Sequence, residues 1–424
     1  MRRPEPTKNQ VRAFNYCLKN EYSIVGMDPR LGKSRVAVGV QQKLKNNCLI
    51  ICPGHLVPNW KKEIQKWHKD KNVQITMIRK GSDIYDVFDS DFVIVSYDLA
   101  QKAENFFEWA DMVVIDEAHN IKNMDAKRTE FIHKNIFENS IKRVLLLTGT
   151  VLRNRVKEFY SLLAICFYNP NVADSQFLEL YPSEIDFADR FSFRKEYVIE
   201  INGKFVTVVK WEGLRNVEEL KTYLEGRYIR IKASEKDLPP ITYNDILISE
   251  DTDHELLGAF NKFFGIEGND NINPAIKAEA ALKKVPFTIK YVNGILEQTD
   301  CAIIYTDHVA SAEAIAKEFG VKAITGKVPA HKRSEMADAF QRGEGKVLVA
   351  TVGALKEGRD LFRANDLIFN DYPWVPGDIA QVINRIRSLG KKNPCLVHRI
   401  FDSPQDEYIL KVLQEKQLTI DQAT

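Results

Sequence analysis

Short runs of apolar residues alternate with amphipathic segments along most of the chain. The runs are rich in valine, isoleucine and leucine and are bounded by polar or turn residues, which is typical of strands covered on both faces of a parallel sheet. They lie at residues 23–25, 48–52, 92–95, 112–115, 144–147, 302–305, 347–349 and 366–369. Between them, segments such as residues 60–67 carry apolar side chains at helical spacing. The pattern predicts an α/β fold.

The alternation lapses between residues 168 and 240, where aromatic and charged residues are frequent. Two β-like segments flank Asn202-Gly203, a dipeptide that favours a tight hairpin turn. Residues 237–240, Asp-Leu-Pro-Pro, have the composition of a linker or hinge. We therefore predict one lobe over residues 1–167, an insertion with a basic linker over 168–240, and a second lobe over 241–424.

Composition narrows the classes of protein that are possible. The 424 residues include 60 Lys and Arg against 58 Asp and Glu, so the chain has no uniformly basic coat, although a nucleic-acid footprint depends on where charges lie. Six scattered cysteines do not make a disulfide framework, and the usual spacings of zinc ligands are missing. No run approaches the ~20 apolar residues that span a membrane, and the first residues have no signal-peptide core. We expect a soluble, intracellular protein.

The first candidate for chemistry is Leu31-Gly32-Lys33-Ser34, which stands between a short predicted strand and a helical segment at 35–44. Strand, loop and helix in that order form a phosphate cradle, because backbone N–H groups and the helix dipole face the anion. Lys33 would reach the β- and γ-phosphates, and the Ser34 hydroxyl would bind Mg²⁺. So short a motif also recurs by chance in exposed turns.

A pair of acids, Asp116 and Glu117, directly follows the apolar run at 112–115. This places two carboxylates at the carboxyl end of a buried strand, where open α/β sheets bind their ligands. Asp116 would hold Mg²⁺, and Glu117 would orient or deprotonate the attacking water in phosphoryl transfer. The alternative is a solvated acidic turn, and the phosphate motif upstream favours the catalytic interpretation.

These motifs and others, in this order, resemble those of SNF2-type ATPases of helicase superfamily two, from about residue 7 to residue 416. In the first lobe, residues 49–53 with 58–63, 95–98, 116–123 (which open with a DEAH box) and 147–154 resemble motifs Ia, Ib, II and III. Residues 227–232 with 238–240 are similar to the basic bridge of the family, and 302–308, 351–361, 374–376 and 381–390 resemble motifs IV, V, Va and VI. The resemblance implies two RecA-like lobes, with ATP and Mg²⁺ as cofactors.

The resemblance also implies roles for individual residues. Adenine would be contacted by Gln10, and further nucleotide contacts would come from Arg30, Gly32, Gly358, Asp360 and Gln381. The implied DNA contacts are Pro53, Lys61, Ser96, Tyr97, Thr148, Gly149, Arg153, Tyr305, His308, Thr351 and Trp374. Trp374 could equally pack within its lobe, and His119 could link the two sites or simply close the motif II turn. Trp60 and Trp67 share a helix face and are more typical of core than of a base-stacking platform.

Two positions depart from the family pattern. Arg30 stands where the family usually has glycine, and its side chain either narrows the loop or adds a phosphate contact of its own. The second arginine of motif VI is expected at position 388, which is Ser388, whereas Arg387 lies one residue early. Either Arg387 acts as a second arginine finger beside Arg385, or Arg385 acts alone.

The function that the resemblance implies is a DNA-dependent ATPase that moves on duplex or branched DNA and reads little sequence. Basic residues at 54–80 and 384–399 fit a DNA track, although charge runs are more commonly solvated helix faces. Because the motifs occupy nearly the whole chain, we expect a monomeric fork or recombination motor of phage or bacterial origin rather than a nucleosome remodeller. The alternatives are a strand-separating DNA or RNA helicase and a catalytically weak DNA-binding scaffold.

Overall fold

The computed structural model describes residues 4–79, 89–102, 104–149, 155–169, 176–201, 204–233, 238–248, 274–355, 361–387, 391, 393–402 and 404–423. Arg153, Gly358, Asp360 and Ser388 lie outside these ranges, as do Asn202 and Gly203 of the predicted turn. The chain divides into two compact units, Met1–Ala233 with Leu418–Thr424, and Ser234–Gln417.

The first unit is built around a parallel sheet. Its strands are β1 (Tyr22–Met27), β2 (Cys48–Cys52), β3 (Ile75–Ile78), β4 (Phe92–Ser96), β5 (Met112–Asp116), β6 (Arg143–Thr148) and β9 (Tyr228–Ile231). Among the described residues they pair in the order β3-β4-β2-β5-β6-β1-β9, and every pair is parallel. Strands β1, β2, β5 and β6 are buried along their whole length, as continuous apolar runs require.

Helices cover both faces of this sheet. They are α1 (Lys8–Lys19), α2 (Lys33–Leu44), α3 (Val57–Trp67), α4 (Tyr97–Ala100), α5 (Asn105–Trp109), α6 (Lys127–Glu138), α7 (Phe159–Phe167), α8 (Gln176–Leu180), α9 (Glu184–Phe191) and α10 (Val217–Leu224). Alternate residues of one strand point to opposite faces, so Ile24 and Val25 belong to two different apolar clusters. The first cluster includes α7, and the second includes α2 and α3.

The segment between the predicted lobes contributes its own structure to the first unit. Strands β7 (Phe193–Ile201) and β8 (Lys204–Glu212) form an antiparallel hairpin, which confirms the hairpin prediction. Helices α8 to α10 carry an aromatic cluster that joins the first apolar cluster, with the rings of Phe167 and Phe177 stacked at 4.2 Å. The stretch interpreted as a basic bridge contains β9, an edge strand whose Ile229 and Ile231 are buried.

The second unit has a smaller parallel sheet. Its strands are β10 (Ile241–Leu247), β11 (Ala302–Thr306), β12 (Val347–Thr351), β13 (Asp366–Phe369) and β14 (Cys395–Phe401), and in the described residues they pair in the order β10-β14-β13-β11-β12. Its helices are α11 (Pro274–Lys283), α12 (Val285–Leu296), α13 (Val309–Glu318), α14 (Ala330–Arg342), α15 (Val352–Leu355), α16 (Pro376–Ile386) and α17 (Pro404–Ala423), whose last residues belong to the first unit. Two parallel α/β units confirm the predicted fold class.

One charged pair is buried in the second unit. The Lys284 ammonium donates to both carboxylate oxygens of Asp406, at 2.9 and 3.1 Å, and to the Ile400 carbonyl at 3.3 Å. The Lys284 side chain is 1% exposed, so its charge depends on that carboxylate. No helix within the described ranges is both long and apolar enough to cross a membrane.

Candidate functional site

The phosphate loop lies between β1 and α2. After β1 ends at Met27, the chain turns over Asp28–Leu31, with the Leu31 N–H donating to the Asp28 carbonyl at 3.3 Å. Helix α2 begins at Lys33, whose ammonium donates to the Met27 carbonyl at 2.9 Å. The lysine is therefore held against the carboxyl end of the sheet, where a phosphate on the loop would meet it.

Glycine is required at position 32 for two reasons. Gly32 has φ +88°, a left-handed conformation that other residues adopt only at a cost. A Cβ atom there would also lie 2.4 Å from Nε2 of Gln10, so the end of that side chain would have to move and give up its hydrogen bond to the Leu31 carbonyl. The loop therefore depends on the absence of a side chain at Gly32.

The glutamine beside the loop has a structural role of its own. Gln10 and Thr7 form a capping box at the start of α1, each side chain accepting from the other's backbone N–H at 3.2 Å. The Gln10 amide also donates to the Leu31 carbonyl at 3.0 Å. A cavity of about 560 Å³ lies next to Gln10 and is lined partly by Phe14, Arg35 and Trp67.

Arg30 has a left-handed backbone conformation of the kind that favours glycine. Its φ is +75°, at the turn position after Pro29 where a type II turn calls for glycine. For a residue with a Cβ atom this conformation costs about 1 kcal/mol or more. Nη2 of Arg30 is shielded from solvent. The loop therefore keeps its turn with an arginine in it.

The acid pair lies at the end of β5, in the middle of the sheet. Asp116 is 8% exposed, and each of its carboxylate oxygens accepts a hydrogen bond, Oδ1 from the Glu117 N–H at 3.0 Å and Oδ2 from the Trp60 indole at 2.8 Å. Glu117 has φ +51°, an uncommon conformation that turns the chain sharply after the strand. Strained backbone of this kind clusters at functional sites.

Burial disfavours the ionised form of the Asp116 carboxyl group. The pKa of Asp116 is raised to about 7, chiefly because burial disfavours the anion and secondly because the Glu117 carboxylate is adjacent. The Lys33 ammonium acts in the opposite direction and lowers this pKa, as do the hydrogen bonds from Trp60 and the Glu117 backbone. An anion in this position is stabilised by any cation that binds beside it.

Motifs II and III meet through buried side chains. Nδ1 of His119 lies 3.3 Å from Oγ1 of Thr148 and 3.3 Å from Oε2 of Glu117. The Tyr97 hydroxyl donates to the carbonyls of Asp116 and Glu117, at 2.7 and 3.3 Å. These contacts hold the backbone and side chains of motif II in place.

Three residues that were expected to contact DNA have buried side chains. The side chains of Tyr97, Thr148 and Tyr305 are 4%, 0% and 0% exposed. A buried side chain has no surface to offer DNA, so the structure does not support a side-chain contact at these positions. Tyr97 and Thr148 instead join the motif II network, and Tyr305 belongs to the apolar core of the second unit.

The other first-unit candidates gather at one edge of the sheet. Cys52 pairs with Ser96, so Pro53 and Ser96 follow the ends of neighbouring strands. A Cβ atom on Gly149 would lie 3.5 Å from the Lys33 ammonium, which places motif III beside the phosphate loop. Pro53, Lys61 and Ser96 are half-buried, and Ser96 caps α4 through its hydroxyl. Parallel strands bring all of these residues to the carboxyl edge.

In the second unit, the motif VI arginines have different surroundings. Arg387 donates from Nε and Nη2 to the Pro239 carbonyl, at 3.0 and 2.9 Å. Arg385 is half-buried in the last turn of α16, close enough to Tyr305 to lower the pKa of its hydroxyl, although burial dominates and raises that pKa. Gln381 is buried on the same helix.

The remaining second-unit candidates lie near the sheet ends. His308 precedes α13 and is half-buried, with Nε2 3.8 Å from the Asp371 carboxylate. Thr351, at the end of β12, is 6% exposed. Trp374 is half-buried against the core of its unit, and the Lys277 ammonium lies 5.5 Å from its ring centre.

Two protein-family models match the chain. The SNF2-related domain matches residues 10–248, more than half of the chain, and the helicase conserved C-terminal domain matches residues 284–390. The chain belongs to the SNF2 family. This family of ATP hydrolases is part of helicase superfamily two.

Three curated relatives show how far the SNF2 similarity extends. The chain is 24% identical to the SWI/SNF-related matrix-associated actin-dependent regulator of chromatin subfamily A-like protein 1 of Drosophila melanogaster over 91% of this chain and 51% of that protein. It is 26% identical to the uncharacterized ATP-dependent helicase YqhH of Bacillus subtilis, over 88% and 70%. It is 23% identical to the mouse DNA repair and recombination protein RAD54B, over 83% and 46%. The chain thus spans about half the length of two of these SNF2 relatives.

Some contacts of this SNF2 site were not foreseen from the sequence. The hydrogen bond from Trp60 to Asp116 joins residues 56 positions apart, and sequence spacing identified Trp60 only as core. Burial at 1% exposure confirms the core prediction for Trp60. Trp67 is half-buried, with Arg35 4.1 Å from its ring centre. The neighbouring residues in the sequence do not identify the partner of an indole N–H, because that partner is determined by how the elements pack.

Proposed function

We propose that this chain hydrolyses ATP and uses the hydrolysis to move along duplex or branched DNA. The observation that carries the proposal is the grouping of Lys33, Asp116 and Glu117 at the carboxyl edge of one parallel sheet, beside a glycine loop that opens a helix. SNF2 membership supplies the class of reaction, since phosphoryl transfer needs positioning and charge neutralisation above all.

Residues of the first unit would bind the phosphates and the base of ATP. The loop at Gly32 and the ammonium of Lys33 would hold the phosphates, and Glu117 would orient the attacking water. The cavity beside Gln10 is large enough for a nucleobase, and its wall includes Phe14 and the Arg35 guanidinium, which lies 4.1 Å from the centre of the Trp67 ring. Gln10 would then contact the base from the capping box that already fixes it.

The oxygen donors at the site suit Mg²⁺. Asp116 accepts one hydrogen bond on each carboxylate oxygen, which leaves a second lone pair on each for a metal or its water ligands. Ser34, in the first turn of α2, would supply a hydroxyl oxygen, and hard oxygen ligands are those that Mg²⁺ prefers. When bound, the ion would neutralise charge on the transferring phosphate.

Arg385 is the better candidate for the arginine finger. The guanidinium of Arg387 already donates twice to the Pro239 carbonyl, so using it on a phosphate would break two hydrogen bonds. Arg385 forms the last turn of α16, at the position where the family carries its first motif VI arginine.

DNA as the track is supported by family membership and by exposed charge. One of the relatives is named as a DNA repair and recombination protein. On this chain, Lys62 and Lys66 on α3 and Lys69 and Lys71 beyond it are exposed, and α3 begins just after β2 ends at the same sheet edge. Phosphate contacts by such residues make binding strongly dependent on salt and nearly independent of sequence.

The test is ATP hydrolysis with single-stranded, duplex, forked and four-way DNA, and with duplex RNA as a comparison. We expect stimulation by duplex or branched DNA that falls as salt rises. Lys33→Ala and Glu117→Gln should reduce turnover at least about 100-fold, because each removes a charge that acts on the reacting phosphate or water. Glu108→Gln, which changes an exposed acid of α5, should leave turnover unchanged.

Several outcomes would contradict the proposal. DNA-independent turnover that survives in both variants would place hydrolysis elsewhere, and no turnover with any DNA would favour a binding scaffold. To test the branched substrate, fork reversal and four-way junction migration should be measured beside unwinding of a simple overhang. Activity confined to the overhang, or stimulation by RNA alone, would indicate a strand-separating helicase instead.

A further inference from the structure

The indole of Trp60 is hydrogen-bonded to Asp116, the acid of the site that is expected to bind the metal ion. Trp60 lies on α3 and is 1% exposed, packed in the apolar cluster that also contains β2 residues such as Ile50 and Cys52. Its Nε1–H donates to Oδ2 of Asp116 at 2.8 Å, and both partners are buried. A buried hydrogen bond to a carboxylate is among the stronger hydrogen bonds in proteins.

The Asp116 carboxylate is held from two sides. The Glu117 N–H fixes Oδ1, but it belongs to the next residue of the chain and moves with it. Trp60 comes from a different element, so its bond fixes the carboxylate relative to the rest of the sheet. The Tyr97 hydroxyl holds the backbone of the acid pair, because it donates to the carbonyls of Asp116 and Glu117. Trp60 therefore supplies the side-chain hydrogen bond that ties the Asp116 carboxylate to a second element of the unit.

An indole is well suited to this task. It has one donor and no acceptor, so it cannot compete with the carboxylate for a cation and always presents its N–H to the oxygen. The ring is rigid and is locked by packing, which fixes the direction of that N–H. The bond occupies one lone pair of Oδ2 and leaves the other directed elsewhere.

We infer that Trp60 is a positioning residue that aims the Asp116 carboxylate at the divalent cation of the ATP site. The inference rests on the proposed function, because it takes Asp116 to be a metal ligand. Hydrogen bonds to ligating carboxylates orient the ligand, and losing one typically weakens metal binding or activity about 10- to 100-fold. The competing explanation is that Asp116 merely satisfies a buried indole donor, in which case metal binding should not depend on the bond.

The experiment uses Trp60→Phe, which removes the N–H and keeps a large aromatic ring. Trp211→Phe is the matched control, because it removes another indole-to-carboxylate hydrogen bond, from Trp211 to Asp189 at 2.6 Å in the β7–β8 hairpin region. Binding of Mn²⁺ in the presence of a non-hydrolysable ATP analogue is followed by electron paramagnetic resonance. Affinity for the same analogue is measured separately in EDTA.

The expected result distinguishes an effect on metal binding from an effect on nucleotide binding. Trp60→Phe should weaken Mn²⁺ binding about 10- to 100-fold and change the metal-free affinity for the analogue less than about twofold. The control should leave both quantities as in the wild type. Mn²⁺ affinity of Trp60→Phe within about twofold of wild type, or an equal loss of metal-bound and metal-free affinity, would overturn the inference. A wild-type protein that retains no Mn²⁺ with the analogue would instead overturn the metal part of the proposed function.

A measurement on the wild-type protein covers the case in which Trp60→Phe fails to fold. The five tryptophans give five indole N–H resonances in a ¹⁵N-labelled sample. The Trp60 signal is assigned as the one that persists when each of the other four is changed to phenylalanine in turn. Addition of Mg²⁺ to the analogue-bound protein should shift this signal more than the other four. An unshifted Trp60 signal would contradict the inference independently of any Trp60 variant.

Discussion

Ionisation of Asp116 should lower the free energy of unfolding when no metal is bound, and the effect can be measured because it depends on pH. In the folded protein the pKa of Asp116 is raised to about 7, whereas an unfolded aspartate titrates near about 3.9. Between these values the folded state binds a proton that the unfolded state does not. The free energy of unfolding therefore falls as pH rises through this window, by about 1.4 kcal/mol per pH unit. Asp116→Asn removes the titrating group and should remove this slope.

The magnitude follows from the window. From pH 5 to pH 7 the slope begins at about 1.4 kcal/mol per unit and halves as the pH reaches the folded-state pKa, so the stability of the wild type should fall by about 2 kcal/mol relative to Asp116→Asn. An asparagine can accept only one of the two hydrogen bonds that Trp60 and the Glu117 backbone donate, and this offset costs about 1–2 kcal/mol. That offset is the same at every pH, so the difference in slope remains.

Urea unfolding in EDTA, followed by tryptophan fluorescence from pH 5 to pH 8, measures this slope. The matched control is Asp125→Asn, an exposed acid of the same unit, whose curve should run parallel to that of the wild type. Mg²⁺ with a non-hydrolysable ATP analogue should restore wild-type stability at pH 8 and should do less for Asp116→Asn. If the wild-type and Asp116→Asn curves stay parallel within about 0.5 kcal/mol, burial does not raise the pKa of Asp116 in the folded protein and the prediction is wrong.

Three further outcomes can be checked. Gly32→Ala should weaken binding of a fluorescent ATP analogue at least about tenfold, because the new Cβ atom would displace the Gln10 amide and the backbone at this position is left-handed. Gly294→Ala is the control and should not weaken binding, since the space around Gly294 is open. Arg385→Gln should lower DNA-stimulated turnover about 10³-fold, whereas Arg387→Gln should mainly destabilise the second unit, by about 1–2 kcal/mol in urea unfolding. A larger loss of turnover in Arg387→Gln than in Arg385→Gln would assign the arginine finger to Arg387. Asp406→Asn leaves the buried Lys284 ammonium without a counter-charge and should lower the free energy of unfolding, measured in urea, by about 3–5 kcal/mol. A decrease of less than about 1 kcal/mol would contradict a charged buried pair.

Much of the framework was readable from the sequence. All eight apolar runs fall within observed strands, and the segments at 35–44 and 60–67 fall within α2 and α3. The strands that the pattern did not identify are β3, β9, β10 and β14. Each carries polar residues or lies at or beside a sheet edge, as Arg230 in β9 and Arg399 in β14 illustrate, so neither a continuous apolar run nor a strict alternation marks it.

The chemistry of the site was also partly local. Gly32, Lys33 and the acids at 116 and 117 were identified because strand, loop and helix follow one another directly in the sequence. The burial of the Tyr97 and Tyr305 side chains was not predicted from the sequence, because a motif position does not say which way its side chain points. In the case of Tyr97, packing turned the hydroxyl to the motif II carbonyls.

The sequence by itself determined the kind of protein this is, since the order of strands, the phosphate loop and the acidic pair depends on residues that are neighbours in the chain. Tertiary structure decided which groups meet. The bond from Trp60 to Asp116, the pairing of Arg387 with Pro239 and the docking of β9 beside β1 each join residues from 56 to more than 200 positions apart. Apolar periodicity fixes only which face of an element is buried, whereas the partners of polar groups on that face are fixed when the elements pack.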